Sequence, residues 1–113
     1  MLIVDDHPGF RDLARKLLEG AGYDVVGEAA DGASALAAVA RLKPSVVLLD
    51  VQLPDVDGFD VTRQLAGDAD APAVVLISSR DVSAYRRRLA DTTARGFIAK
   101  SELSGAALAA LLE

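Results

Sequence analysis

Polar residues stand where apolar runs stop in this sequence: Asp5 and Asp6 after Met1 to Val4, Asp50 after Val46 to Leu49, Ser78 after Ala73 to Ile77, and Lys100 after Phe97 to Ala99. Brought to one crevice, the carboxylates repel. At about 4 Å and an effective dielectric near 20, each like-charged pair costs on the order of 4 kcal/mol. Lys100 supplies one positive charge and a hard divalent cation supplies more. Carboxylate oxygens, a backbone carbonyl and waters suit Mg2+ better than Zn2+. A carboxylate held against Mg2+ and a lysine, beside a hydroxyl, is equipped to attack phosphorus in line while the cations stabilise the transferring oxygens. The product would be an aspartyl phosphate on Asp50. No residue presents itself as a general base for a separate substrate.

That convergence requires particular elements. Val46 to Asp50 is a continuous apolar run bounded by turn residues, the pattern of a strand buried on both faces of a parallel sheet. Around it the chain alternates. Met1 to Val4 reads as a strand and Tyr23 to Ala29, carrying Val25 and Val26, as a second, with Phe10, Leu13, Ala14, Leu17 and Leu18 at helical spacing between them. Leu36, Val39 and Ala40 mark a helix that must stop before Lys43 and Pro44. A third helix runs from about Phe59 to Leu65, and a loop rich in Gly, Asp and Pro leads to a fourth strand, Ala73 to Ser78. Val82 to about Ala90 is a helix expected to be short or mobile, because Arg86, Arg87 and Arg88 leave it little apolar face and Thr92 and Thr93 follow. Phe97 to Ala99 is a short fifth strand, and Leu103, Ala107, Leu108, Leu111 and Leu112 give a closing amphipathic helix.

Strands alternating with helices imply a parallel sheet with right-handed crossovers and helices on both faces. The expected class is α/β, a flavodoxin-like (βα)5 doubly wound sheet in the order 2-1-3-4-5, the common solution at this size. Strands 1 and 3 then lie side by side, and ligands bind outside the carboxyl ends of the strands at that switch point.

Composition narrows the function. At 113 residues and 11.8 kDa the chain fits one domain. There are no cysteines, so neither a disulfide framework nor a thiolate site exists. A net charge of -5 works against direct binding to nucleic acid, which depends on neutralising phosphates with Lys and Arg. No stretch approaches a membrane span, and the expected location is the cytoplasm.

The set Asp5-Asp6, Asp50 with Leu53-Pro54 and Asp57-Gly58, Ser78-Ser79, and Gly96-Phe97 before Lys100 resembles the receiver domain of two-component response regulators, with every landmark in order across essentially the whole chain. The resemblance implies Asp50 as phosphoacceptor, and Asp5, Asp6, Asp50 and the backbone carbonyl of Gln52 as Mg2+ ligands. It makes Lys100 the cationic partner of the phosphate, Ser78 the switch hydroxyl and Phe97 the switch aromatic. It also implies a sensor histidine kinase as partner, a homodimer formed on phosphorylation, and a signalling domain that assists its own phosphorylation and dephosphorylation without being an enzyme. Asp5-Asp6-His7-Pro8 with Phe10-Arg11, and Lys100-Ser101, resemble the NarL/LuxR-type subgroup, whose members usually carry a C-terminal helix-turn-helix DNA-binding domain. The expectation is one receiver domain over residues 1–113, with no output domain in this chain. Ser101 follows the lysine where many receivers have Pro, so a trans peptide is expected there.

Singly, each landmark has a plain reading: Asp5 and Asp6 in a turn, Ser78 in an ST-turn, Lys100 solvated. His7 is read as a loop residue, and the arginines from Arg86 to Arg88 as a solvated face. Other functions fit less well. A pseudo-receiver interaction module has no need of the complete set. A cofactor binder needs a phosphate-cradling loop after the first strand, where Asp5 and Asp6 would repel phosphate. A haloacid dehalogenase-type phosphatase needs an acid two residues beyond its nucleophile, and Gln52 stands there. For the switch, Ser78 is expected to turn toward a phosphoryl group on Asp50 and Phe97 to fill the space it vacates.

Overall fold

The computed structural model describes residues 1–113. Its strands are β1 (Leu2–Val4), β2 (Gly27–Ala29), β3 (Val46–Asp50), β4 (Ala73–Ser78) and β5 (Gly96–Ala99), and they form one parallel sheet in the order β2-β1-β3-β4-β5. The helices are α1 (Pro8–Gly20), α2 (Gly32–Leu42), α3 (Gly58–Ala66), α4 (Arg86–Ala90) and α5 (Gly105–Leu112). This is the flavodoxin-like α/β architecture and strand order expected from the alternation. No helix is long and apolar enough to cross a membrane.

Period-two alternation along each strand divides the core into two packed layers. Leu2, Val4, Val47, Leu49 and Leu76 pack with Ala35 and Ala38 of α2, Phe59, Val61 and Leu65 of α3, and Tyr85. On the opposite face Ile3, Leu48, Val75, Ile77 and Ile98 pack with Ala14 and Leu18 of α1 and Leu108 of α5. Continuing the alternation past the last apolar residue of each strand, Asp5, Asp50 and Lys100 lie in phase with Ile3, Leu48 and Ile98, on the α1/α5 face. Ser78 lies in phase with Leu76, on the other.

Element boundaries depart from expectation in a few places. The second strand is Gly27–Ala29 rather than Tyr23 to Ala29. The Tyr23 N–H turns back to the Leu18 carbonyl after Gly22, whose φ of +94° closes α1, and Val26 makes one bond to the Met1 carbonyl before the ladder starts. Leu103 precedes α5 instead of opening it, because Ser104 caps that helix by accepting from the Ala107 N–H. The segment after β4 is short, as its arginines suggested: a 3-10 turn, Val82–Tyr85, followed by the five residues of α4. Every peptide bond is trans, Lys100–Ser101 included.

Candidate functional site

The carboxyl ends of β1, β3 and β5 carry the central charges, with β4 between the last two. Asp5 and Asp50 are buried, and Lys100 Nζ lies 2.6 Å from Asp5 Oδ2 and 3.1 Å from Asp50 Oδ2. The Lys100 ammonium also lies 4.6 Å from the centroid of the Phe10 ring, a cation–π contact. Asp50 Oδ1 accepts from the Gln52 N–H at 3.0 Å, and Asp5 Oδ1 from the His7 N–H at 2.8 Å. Both are Asx turns, in which a side chain fixes the loop that follows its own strand.

The electrostatics differ between the two buried acids. Burial pushes the Asp5 carboxyl up, but the Lys100 ammonium and the His7 N–H outweigh it and hold the group below its ordinary value. For Asp50 burial prevails: it lifts the carboxyl, the Gln52 N–H and Lys100 only partly counter it, and the charge on Asp5 adds to the rise. The ammonium lies closer to Asp5, which also has the His7 N–H, whereas Asp50 feels the charge on Asp5. Lys100 itself is opposed by burial, yet the two carboxylates raise its pKa above the usual lysine value.

Asp6 is exposed at the rim. Ligand atoms of Asp5, Asp6, His7 and Asp50 lie within 4.8 Å of one another, a spacing that fits a single cation. The donor set agrees: carboxylate oxygens predominate, and Asp5 Oδ2 is a buried oxygen with no hydrogen-bond partner, compensated only by the ion pair to Lys100. Gln52, also exposed, forms an isolated bridge with Asp57 across the loop after β3. Gly58 lets that loop close on the strand. Its N–H bonds the Val51 carbonyl at 2.7 Å, and a Cβ there would meet the Asp50 carbonyl oxygen at 2.6 Å.

Ser78 is fully buried, but its hydroxyl is not directed at Asp50. Its Oγ lies 3.0 Å from the Tyr85 hydroxyl and accepts from the Arg80 N–H at 3.0 Å. Tyr85 is buried between Phe59 and Phe97, with ring centroids 5.9 and 5.7 Å away. The half-buried Phe97 therefore shares with Tyr85 the place beside Ser78 that sequence reasoning had assigned to Phe97 alone.

Tyr85 is one residue that the sequence reading missed; the available signal was an aromatic with a hydroxyl set among exposed, charged neighbours. His7 is another. Its ring Nδ1 lies 3.1 Å from both Asp5 Oδ1 and Asp6 Oδ1, so it belongs to the acidic cluster more closely than a plain loop residue would. Beside these groups, a cleft of about 530 Å3 runs along the loop after β3, and Arg80, Tyr85, Arg88 and Asp57 line it; another of about 520 Å3 lies between β5, α5 and Arg80 to Val82. Neither is lined by Asp5, Asp50 or Lys100.

A sequence profile of the response regulator receiver domain matches residues 1–112. Among solved structures, the signal receiver domain of NarL from Mycobacterium tuberculosis is 34% identical and superimposes with a TM-score of 0.85, covering 98% of this chain and 94% of that one. A LuxR-family two-component response regulator from Aurantimonas sp. SI85-9A1 is 31% identical with a TM-score of 0.85, over 98% and 83% of the respective chains. Among curated proteins, protein-glutamate methylesterase/protein-glutamine glutaminase 6 of Anaeromyxobacter dehalogenans is 44% identical over 108 residues, 95% of this chain and 31% of the relative. The chain spans between 23% and 49% of the length of the curated relatives it matches most strongly.

Proposed function

This chain belongs to the receiver-domain family of two-component response regulators, and from that membership we propose that Asp50 accepts a phosphoryl group from a sensor histidine kinase and that the resulting charge changes the surface presented to an output. Receivers of this family bind Mg2+ at an acidic pocket, and here Asp5, Asp6 and Asp50 with the backbone carbonyl of Gln52 would hold the ion. Its chemistry, when bound, is to neutralise the oxygens of the transferring group. The observation that carries this reading is the burial of Asp50 between a backbone N–H and Lys100, with Asp5 beside it.

In the transfer, an Asp50 carboxylate oxygen forms the new bond to phosphorus. The bond from phosphorus to the donor atom breaks, and its electron pair leaves with the donor. Lys100 follows the negative charge onto the phosphoryl oxygens, and the Gln52 N–H keeps the carboxylate oriented. The chain promotes its own modification and its own hydrolysis without turning over a separate substrate. Ser78 is the switch hydroxyl, turning from Tyr85 toward the phosphoryl group, and Phe97 and Tyr85 repack as it leaves. The event biases states that already exist.

Residues 1–113 act as the receiver unit, and the output is transcriptional, through a helix-turn-helix domain beyond it. The likeness to NarL and LuxR-family response regulators supports this reading. Phosphorylation favours a homodimer through the α4 or α5 face, and beryllofluoride should therefore shift sedimentation toward dimer. The decisive experiment is intact mass after acetyl phosphate and Mg2+. One phosphoryl group should be added, none without Mg2+ and none in Asp50→Asn; incorporation in that variant would refute the assignment, and no incorporation in the unaltered protein would favour a pseudo-receiver.

A further inference from the structure

Outside the groups already assigned a role, one polar network ends on the acidic loop. Glu28, in the middle of β2, binds arginines from successive turns of α1: Arg11 Nε donates to Oε1 at 3.0 Å and Arg15 Nε to Oε2 at 2.8 Å. With its Nε held, Arg11 turns a second donor, Nη1, to the backbone carbonyl of Asp5 at 2.6 Å. The N–H of the same residue donates to the Ala29 carbonyl, one residue along β2 from Glu28, at 3.0 Å. Both backbone groups of Asp5 are thus tied to β2, one directly and one through the guanidinium. The Asp5 carbonyl lies in the peptide plane that leads into Asp6, so fixing that oxygen fixes the direction in which the exposed Asp6 leaves the strand.

The placement is costly unless it has a purpose. A guanidinium beside a loop that gathers carboxylates for a cation opposes that cation by charge. Glu28 and Glu19 offset it: Glu28 pairs with Arg11 and Arg15, and Glu19 lies 3.6 Å from Arg15, so two carboxylates face two guanidiniums while Arg11 delivers a directed N–H. We infer that Arg11, aimed by Glu28, is a positioning residue that presents Asp5 and Asp6 to the divalent cation. This rests on the reading of the acidic pocket as a Mg2+ site. It goes further in assigning the alignment of that pocket to residues that touch neither the ion nor the phosphoryl group.

The sign of one substitution separates positioning from electrostatics. If Arg11 acted only through its charge, Arg11→Ala would tighten Mg2+ binding. If it positions the loop, Arg11→Ala weakens it, by about tenfold on the scale of partners that orient metal ligands. Glu28→Gln is expected to weaken Mg2+ binding to a similar degree. The double variant should be no weaker than Arg11→Ala alone, since residues that act as one unit are not additive. Arg11→Lys keeps the charge but lacks the fork that reaches two acceptors, and should fall with Arg11→Ala.

The measurement is a MgCl2 titration followed through backbone amide shifts, with amide dispersion reporting the fold in the same spectra. Arg15→Ala is the control, because it loses an ion pair to Glu28 without touching the loop, and its Mg2+ affinity should stay within about twofold of the parent. Arg11→Ala binding Mg2+ as tightly as the parent, or Arg15→Ala weakening it equally, overturns the inference and leaves the receiver reading standing. A parent protein that does not titrate with Mg2+ removes both. Should Arg11→Ala fail to fold, the charge-preserving Arg11→Lys carries the test, and unchanged affinity there is equally fatal.

Discussion

Tyr85→Phe removes one oxygen and keeps the ring that packs between Phe59 and Phe97. What is lost is the contact of 3.0 Å between the Tyr85 and Ser78 hydroxyls, both buried. Ser78 Oγ still accepts from the Arg80 N–H, so no buried oxygen is left without a partner. The cost to the resting state is then that of one neutral hydrogen bond, about 1 kcal/mol. In a switched state with Ser78 turned toward a phosphoryl group that bond is already broken, so the substitution costs the switched state nothing. The equilibrium between them moves by the same 1 kcal/mol, about fivefold at room temperature.

The prediction is that Tyr85→Phe lowers unfolding stability by about 1 kcal/mol yet tightens beryllofluoride binding by up to about fivefold. Urea titration checks the first figure, and a fluorine NMR titration of the bound complex checks the second. In a Ser78→Ala background there is no hydroxyl pair to break, and the gain should vanish. Unchanged or weaker beryllofluoride affinity in Tyr85→Phe would show that the tyrosine hydroxyl finds an equal partner after switching. The same gain in the Ser78→Ala background would show that it arises elsewhere; either result sinks the proposed restraint.

Other expected outcomes concern the charges and close contacts of the site. Lys100→Ala should keep or tighten Mg2+ affinity while slowing phosphorylation. Leaving Asp5 and Asp50 without their buried cation should cost the Mg2+-free protein about 3–5 kcal/mol, so Mg2+ should raise the melting temperature more in the variant than in the parent; an equal rise would count against this. Gly58→Ala places a Cβ against the Asp50 carbonyl oxygen and Val51 Cα, backbone atoms with little room to yield; a loss of about 1–3 kcal/mol and slower phosphorylation by acetyl phosphate are expected. Asp55 accepts from the Gly32 and Ala33 N–H groups at the start of α2, and these bonds, the Gly32 N–H first, lower its pKa. A depressed folded-state pKa contributes stability that is complete above the unfolded value and lost as pH falls through the folded one. The stability difference between the parent and Asp55→Asn should therefore be flat from neutrality down to about pH 5 and shrink below about pH 4, and a difference that grows on acidification would be inconsistent with it.

How far the site was legible depended on which periodicity carried the information. Strand ends were readable because an apolar run that stops at Asp50, Ser78 or Lys100 marks the sheet edge by itself, and parallel crossovers bring all such ends to one side. Which face each residue takes follows from counting in twos back to a core neighbour. That count puts Asp5, Asp50 and Lys100 together and Ser78 opposite, toward Tyr85. Sequence reasoning placed Ser78 by strand end alone and so aimed it at Asp50. Tyr85 was hidden for another reason: it belongs to a 3-10 turn, where neither a period of two nor one of 3.6 applies, and its neighbours are charged. The Arg11–Glu28 contact spans 17 residues and joins a helix to a strand that proved much shorter than its sequence suggested, so no local pattern announces it.

These placements imply a division of labour across the sheet. On the α1/α5 face, charge is only partly offset at rest: Lys100 sits between Asp5 and Asp50, and the latter is the carboxyl whose pKa burial has raised. On the proposed reading, a phosphoryl group on Asp50 would add about 1.5–2 negative charges and strong acceptor oxygens, which would draw Lys100 away from Asp5 and leave that oxygen to a divalent ion. This half of the response would rest on the charged groups alone. The other half lies on the opposite face, where Ser78 is hydrogen-bonded into a layer of aromatic rings. For Ser78 to reach the phosphoryl oxygens it must give up its contact with the Tyr85 hydroxyl. Charge neutralisation by Lys100 and rearrangement by Ser78 are therefore separable steps. Lys100→Ala should impair the first and Ser78→Ala the second: the serine variant still takes up one phosphoryl group at Asp50 by intact mass, while the Phe97 and Tyr85 ring signals stay at their resting positions in aromatic NMR spectra. Ring signals that shift fully without the Ser78 hydroxyl would mean that charge alone drives the repacking.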